Sequence, residues 1–285
     1  MREHTRKLYS RAVLRGALLG AILAAIGCLG WAVAQPPPSS VNNDSSARVL
    51  ASSIAQTPPI WQAPSVPAIA ELPNKDLSRN QTPDCSRVAC VALTFDDGPD
   101  RDTTPVILSA LEQAHVPATF FLIGNRVAND ADLVQRMYQD HDDIGDHSWS
   151  HADLTKLPPD QIRSQIEQTQ VVNSNTGVPA PSFVRPPYGV VNQTVEDNIP
   201  LPLVLWNIDP RDWAETDPAK IGAAVTALAK PGAIILMHDA KPSSAAAVAA
   251  ILANLKTHYQ LVTVSQLLQL SSASRGQYFS LYTHR

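Results

Sequence analysis

Acidic and imidazole side chains fall at two places where their spacing could build a metal site. Asp96 and Asp97 are adjacent and are followed by the turn-forming pair Gly98-Pro99. His147 and His151 are four residues apart, so a helical turn would let both rings face one point. Two imidazoles and one carboxylate leave a zinc ion with an open position for water, and the other carboxylate stays available as a general base. Each pair alone also fits a solvated surface turn.

Three further groups of polar and aromatic residues each follow an apolar strand candidate. They are Arg185-Pro186-Pro187-Tyr188-Gly189, Asp209-Pro210-Arg211-Asp212-Trp213 and Leu236-Met237-His238-Asp239. His238 at a strand end suits a general acid or base. Taken singly, Arg185 could be an ion-pair partner, Trp213 a core residue and His238 a hydrogen-bonded histidine. Their joint occurrence just past strands favours an active site.

Strand and helix candidates alternate after Cys85, and they must position these residues. The strand candidates are Cys90–Phe95, Ala118–Ile123, Phe183–Arg185, Leu203–Ile208, Ala233–Met237 and Gln260–Val264. The helix candidates are Thr104–Gln113, Asp130–Gln139, Pro159–Asn173, Pro218–Ala229 and Ser244–Leu255. Such alternation predicts an α/β fold with parallel strands, either a barrel or an open doubly wound sheet. In both, chemistry gathers at the carboxyl ends of the strands.

The N-terminal segment, residues 1–34, has the pattern of an export signal or a membrane anchor. Five basic residues precede or adjoin an apolar run from Gly16 to Ala34. Ala32-Val33-Ala34 fits a cleavage site, and the run is also about long enough to span a bilayer at roughly 20 residues. Both a cleaved signal and a retained anchor are compatible with this pattern. The basic flank predicts that the remainder lies outside, in the extracellular space, in the cell wall or on the outer face of the cytoplasmic membrane.

Composition and cysteine usage add to this picture. Residues 35–84 are rich in Pro and Ser and lack a sustained period, which predicts a disordered linker. In an oxidising compartment Cys85 and Cys90 predict a disulfide, with two inert thiols as the alternative. The net charge of −4 argues against a general nucleic-acid binder. The polar tail, residues 271–285, could dock on the domain or remain loose.

The ordered motifs resemble those of the polysaccharide deacetylases of carbohydrate esterase family four, which carry the NodB homology domain. The motifs are TFDDGP (Thr94 to Pro99), HSWSH (His147 to His151), RPPYG (Arg185 to Gly189), DPRDW (Asp209 to Trp213) and LMH (Leu236 to His238). The resemblance covers about Cys85 to Leu270 and excludes the export segment and the linker. It implies a distorted (β/α) barrel of parallel strands with outer helices, as a single catalytic domain.

The resemblance also implies a divalent metal, with Zn²⁺ expected first and Co²⁺ as the alternative. By motif, Asp97, His147 and His151 would be its ligands. Asp96 would be the general base, with Arg185 holding it ionised and oriented.

The remaining motif residues acquire roles in the same way. His238 would protonate the leaving amine, and Asp212 would keep His238 protonated. Tyr188 would stabilise the developing oxyanion through its backbone N–H. Leu236 and Trp213 would seat the acetyl methyl group.

The implied activity is hydrolysis of N-acetyl groups on an amino-sugar polymer. An exported protein behind a flexible linker can reach the cell wall, so we expect peptidoglycan N-acetylglucosamine as the substrate. Chitin oligomers, other poly-N-acetylglucosamine polymers and acetylated xylan stay open because the motifs do not separate them. We expect a monomer that contacts the membrane through its N-terminal segment if that segment is uncleaved.

Two hypotheses come from other classes of protein. A catalytically silent, wall-anchored carbohydrate-binding protein would be favoured by loss of the base or the acid, yet Asp96 and His238 are both present. A non-haem iron oxygenase also uses two histidines and one carboxylate. Such an enzyme would not need a free Asp96 and a separate His238.

Overall fold

The computed structural model describes residues 83–270, 274–280 and 283–284. The predicted export segment, residues 1–34, and nearly all of the predicted linker, residues 35–84, lie outside the described residues. Among the described residues, no helix has the length and apolar character needed to cross a membrane.

Short strands alternate with helices through the described part of the chain. The strands are β1 (Cys90–Asp96), β2 (Thr119–Leu122), β3 (Asp143–Asp146), β4 (Leu203–Val204), β5 (Ala233–His238), β6 (Gln260–Val262), β7 (Gln277–Ser280) and β8 (Thr283–His284). The helices are α1 (Thr104–Ala114), α2 (Gly124–Val127), α3 (Ala131–Gln139), α4 (Pro159–Asn175), α5 (Gln193–Asn198), α6 (Pro218–Leu228), α7 (Pro242–Leu255) and α8 (Val264–Leu268).

The strands form one sheet in the order β3-β2-β1-β5-β7-β4, with β6 paired to β1 and β8 paired to β7. Strand β1 runs parallel to β2, β5 and β6, and β2 runs parallel to β3. Strand β7 is parallel to β4 but antiparallel to β5 and β8. This arrangement confirms the predicted α/β fold built on parallel strands.

Within the described part of the chain, the two ends of this strand order meet at Val184. Val184 forms isolated parallel bridges with Asp146, at the end of β3, and with Leu203, at the start of β4. The strand predicted at Phe183–Arg185 is therefore reduced to one bridged residue. Of the strand predicted at Leu203–Ile208, the structure forms the two residues of β4 and a separate parallel bridge between Ile208 and Ile235. We call the Asp146–Val184–Leu203 bridges the seam. The sheet is a distorted barrel that is not continuously closed.

Side chains alternate between the two sides of the central strands, as the twofold period of a strand requires. On β1, Val91, Leu93 and Phe95 belong to the large core that also contains residues of α1, α6 and α7. Ala92 packs in a different apolar cluster, on the inner side of the sheet. Asp96 shares the parity of Ala92, so its side chain lies on the inner side. Strand β5 repeats the pattern, with Ile235 in the large core and Ile234 in the inner cluster.

The inner cluster includes Cys85 and Cys90, which the structure joins in a disulfide. Strand β7 lies between β5 and β4 in the sheet. Of the two alternatives for the tail, docking therefore applies to β7, and the folded domain continues beyond Leu270. Tyr282 lies outside the described residues.

Candidate active site and metal centre

The three predicted metal ligands meet at the carboxyl ends of β1 and β3. Ligand atoms of Asp97, His147 and His151 all lie within 4.8 Å of one another. Asp97 Oδ1 is 3.6 Å from His147 Nε2 and 3.3 Å from His151 Nε2. Asp97 Oδ1 is buried and accepts no hydrogen bond within the described part of the chain. A buried carboxylate oxygen without a donor, facing two imidazole nitrogens, fits a divalent cation.

Hydrogen bonding also prepares His147 for this role. The Nδ1 atom of His147 lies 2.7 Å from the carbonyl oxygen of Arg185. Because a carbonyl oxygen only accepts, Nδ1 carries the proton and Nε2 keeps its lone pair for a metal. Burial, followed by repulsion from His147, lowers the pKa of His151, which favours the neutral form that binds metals.

The backbone around the ligands is left-handed at three non-glycine positions. The φ angles are 73° at Asp97, 65° at Ser148 and 57° at His151. Each such residue costs on the order of 1–3 kcal/mol and persists only where its surroundings impose it. One contact that holds Ser148 in this conformation comes from Asp146, whose Oδ1 accepts the Ser148 N–H at 2.7 Å.

Residues 123–126, which we call the bracket, contact both loops that carry the ligands. The hydrogen bonds are Ile123 N to Gly98 O (2.9 Å), Arg126 Nη1 to Asp97 O (2.9 Å), Gly124 N to Ser148 O (3.0 Å) and Asn125 N to Trp149 O (3.0 Å). The bracket thereby joins the loop after β1 to the loop after β3. It helps to hold the left-handed residues of both loops in place.

Asp96 is positioned by a buried arginine. Arg185 is fully buried, and its Nη1 donates to Asp96 Oδ1 at 2.7 Å and to the Thr94 hydroxyl at 2.8 Å. Burial lowers the pKa of Arg185, and the charge of Asp96 opposes that shift. The other carboxylate oxygen, Oδ2, lies 3.6 Å from His147 Nε2. Asp96 therefore borders the Asp97–His147–His151 cluster, and the guanidinium of Arg185 fixes its orientation.

His238 lies beside Asp96, because the two residues are direct partners in the parallel register of β1 and β5. Its Nδ1 is 2.8 Å from Asp212 Oδ1, and its backbone N–H donates to Asp212 Oδ2 at 2.7 Å. Burial by itself lowers the pKa of His238, but the hydrogen bond and charge of Asp212 raise it more, so the net pKa is above the ordinary value. The Ser244 hydroxyl also donates to Asp212.

The predicted substrate-contacting residues lie around this centre. The Tyr188 ring meets the His151 ring edge-to-face at 4.6 Å between centroids, and its φ of 63° is left-handed. Tyr188 is 63% exposed and Trp213 is 48% exposed, whereas Leu236 is buried two residues before His238 on β5.

Two residues that make contacts in the site were given no role by the sequence. Thr94 lies inside the TFDDGP motif and links Arg185 to the Ile235 carbonyl. Asp239 follows His238, is fully buried and accepts from the Thr104 hydroxyl at 2.6 Å. Burial raises the pKa of Asp239 to about 7. The sequence signal for Asp239 was its position directly after the LMH motif, Leu236 to His238.

The sequence of this chain is similar to those of known proteins. A model of the family described as polysaccharide deacetylase matches residues 84–199. The chain is 39% identical over 191 residues to the peptidoglycan-N-acetylglucosamine deacetylase PgdA of Listeria monocytogenes, covering 66% of this chain and 41% of PgdA. It is 38% identical over 163 residues to a chitooligosaccharide deacetylase of Bradyrhizobium, covering 56% of this chain and 74% of that protein.

A solved structure is also similar to this chain. The family 4 acetyl xylan esterase from Clostridium thermocellum, in complex with a cobalt ion, matches with a TM-score of 0.65 at 34% identity. The match covers 68% of this chain and 100% of that one. The chain spans less than half of the length of PgdA but about three quarters of the Bradyrhizobium protein. On these matches, the chain belongs to the polysaccharide deacetylase family.

Proposed function

We propose that this protein is an exported, metal-dependent hydrolase that removes N-acetyl groups from peptidoglycan N-acetylglucosamine. The observation that carries the proposal is the pairing of Asp96 with His238 across β1 and β5, beside the Asp97–His147–His151 cluster. A base, an acid and a set of metal ligands then surround one active site. The basic and apolar pattern of residues 1–34 supports export, and the similarity to PgdA supports the choice of substrate.

Asp96 acts at the start of the reaction, beside the residues that would hold the metal. A divalent cation held by Asp97, His147 and His151 would lower the pKa of water toward about 7 and polarise the acetyl carbonyl. Asp96 accepts the proton of the attacking water, while Arg185 holds the carboxylate in place. The Tyr188 backbone N–H donates to the oxygen on which negative charge develops.

His238 completes the reaction by donating a proton to the leaving nitrogen. Water and the N-acetyl group are then converted to acetate and a free amine. Because Asp212 raises the pKa of His238, the imidazolium needed for this step is better populated near neutral pH. Leu236 and Trp213 border the methyl group, and a methyl-sized pocket rejects longer acyl chains by about 1–3 kcal/mol per methylene.

Oligomers of N-acetylglucosamine are a second candidate substrate. The Bradyrhizobium relative, named a chitooligosaccharide deacetylase, is covered over 74% of its length, more than PgdA. The same catalytic groups would serve this substrate, since the reacting N-acetylglucosamine unit is identical.

The test is acetate release by the full-length protein from purified peptidoglycan, chitin oligomers and acetylated xylan. Each substrate is tested with added Zn²⁺ or Co²⁺ and with a chelator. We expect metal-dependent release, fastest from peptidoglycan, and we expect Asp96→Asn to reduce the rate by at least about 100-fold while retaining metal. Asp102→Asn, an exposed carboxylate six residues along the chain, is the matched control and should keep its activity. Metal binding and glycan binding without acetate from any substrate would instead support the silent carbohydrate-binding protein.

A further inference from the structure

The loop Asp209–Trp213 turns its side chains to opposite sides. Asp212 is buried and binds His238, whereas Arg211 and Trp213, on either side of it, are exposed. The loop therefore presents a cation and an indole to solvent directly beside the group that protonates the leaving amine.

The backbone of Arg211 is fixed in an unfavourable conformation. Its φ is 60°, a left-handed value that side-chain-bearing residues rarely adopt. The Asp209 carboxylate accepts the Arg211 N–H at 2.7 Å, and the Arg211 carbonyl accepts the N–H groups of Ala214 at 3.0 Å and Glu215 at 3.1 Å. These bonds preorganise the residue, so its side chain starts from a defined position.

The guanidinium of Arg211 is stacked but not neutralised. Its Cζ lies 5.1 Å from the centroid of the Trp213 ring, and it forms no ion pair with any described carboxylate. Five other arginines do form such pairs within the described residues, namely Arg87, Arg101, Arg136, Arg163 and Arg185. Arg211 thus keeps its planar set of donors available to a ligand, and that set matches a carboxylate bidentately.

We propose that Arg211, held against Trp213, binds a carboxylate on a sugar adjacent to the reacting N-acetyl unit, and so directs the enzyme to acidic glycans. This inference rests on the proposed deacetylase function. Besides bordering the acetyl methyl group, the exposed indole offers apolar surface for the C–H groups of a sugar ring, and the guanidinium offers a charge-assisted contact beside it. The lactyl carboxylate of an N-acetylmuramic acid residue that carries no stem peptide has the required chemistry, whereas an oligomer of N-acetylglucosamine alone has no carboxylate.

The experiment compares three tetrasaccharides that share the same reacting sugar. The first is a peptide-free glycan of alternating N-acetylglucosamine and N-acetylmuramic acid, the second is its methyl ester, and the third is tetra-N-acetylchitotetraose. Binding is titrated with full-length, zinc-loaded protein in the Asp96→Asn background, which suppresses turnover. KM and kcat are measured from acetate release with Asp96 intact.

We expect Arg211→Gln to raise Kd and KM for the acidic tetrasaccharide by about tenfold or more, because a charge-assisted contact is lost. Kd and KM for the ester and for chitotetraose should change by less than about twofold, and kcat should be unaffected. Arg211→Lys should give an intermediate loss, since it keeps the charge but not the bidentate donors. Lys230→Gln, which removes an exposed cation before β5 at the opposite end of that strand, is the matched control.

The outcomes separate the two proposals. An equal loss on all three glycans would mean that Arg211 only shapes the loop, and no loss on the acidic glycan would mean that it binds nothing there. Either result overturns the inference even if acetate is released. Conversely, Arg211-dependent binding of the acidic glycan without acetate release would retain the carboxylate site and overturn the deacetylase proposal.

Discussion

Arg185 connects Asp96, the proposed base, to the Asp97–His147–His151 cluster through two different parts of one residue. Its side chain donates to Asp96, and its carbonyl oxygen lies 2.7 Å from His147 Nδ1. Its remaining guanidinium donors bond to the carbonyl oxygens of Val204 and Leu205, each at 3.0 Å. Arg185 also lies beside Val184 of the seam, so the residue that orients the base is anchored where the two ends of the sheet meet.

At the same scale, Asp212 sets the protonation of His238. The proposed reaction requires protonated His238, so activity should fall as pH rises through its pKa. Asp212→Asn removes the charge that raises this pKa, and we expect the falling alkaline limb of the kcat profile to move to lower pH. The rate at high pH should fall by about 10- to 100-fold.

Ser244→Ala provides the control for this prediction. It removes a hydroxyl that donates to Asp212 but leaves the carboxylate charge, so the limb should move much less. A pH profile of Asp212→Asn with an unchanged alkaline limb would show that His238 is not the group that titrates.

At the scale of elements, the bracket explains how two separate loops can bring the three proposed metal ligands together. Its residues donate to carbonyls in both loops. Gly124 allows this close approach, because a Cβ there would lie 2.5 Å from Thr169 Oγ1 and 2.8 Å from Trp149 Cε3. The ligands are thereby positioned by hydrogen bonds from residues that lie outside the cluster itself.

Arg126→Gln should consequently weaken metal binding. Loss of an outer contact to a ligand-bearing residue commonly lowers metal affinity by about 10- to 100-fold, and we expect a decrease at the lower end of that range. The measurement is a competition titration with a chromogenic zinc chelator. Arg136→Gln is the control, since Arg136 pairs with Glu112 and Asp140 away from the ligands. Similar zinc affinities for the two variants would contradict a positioning role for Arg126.

The elements also show where sequence reasoning succeeded and where it failed. Apart from His147 and His151, the motif residues could be predicted to converge because each group follows an apolar strand candidate, and parallel strands share one carboxyl edge. Strand β3 (Asp143–Asp146) was not predicted, because Asp-Ile-Gly-Asp has neither an apolar run nor β-branched enrichment. Gly145 suits that strand for a tertiary reason, since a Cβ would lie 2.5 Å from the Phe121 ring. The bracket was not predictable, since most of its bonds are backbone bonds that any residue can make.

At the scale of the whole molecule, metal binding should stabilise the fold. The ligands come from loops after β1 and β3, which are separated by β2 in the sheet, so a cation would tie together separate parts of the domain. A ligand that binds only the folded state adds about 2.7 kcal/mol at a hundredfold excess over Kd.

We therefore expect a chelator to lower the thermal midpoint of the full-length protein by several degrees. His147→Ala removes a ligand, so its midpoint should not respond to chelator or to added zinc. Differential scanning calorimetry measures both. An equal response of the wild type and the variant would place the stabilising metal elsewhere.

The register that pairs Asp96 with His238 has a consequence for how the proposed active site can change. Neighbouring strands are about 4.8 Å apart. The separation between the proposed proton acceptor and proton donor is therefore set by the pairing of β1 with β5 and does not depend on loop conformation. Arg211, Trp213 and Tyr188 lie on turns outside that ladder. New glycan preferences can therefore arise by exchanging side chains at the rim, while the separation of the two proton-transfer groups is inherited unchanged.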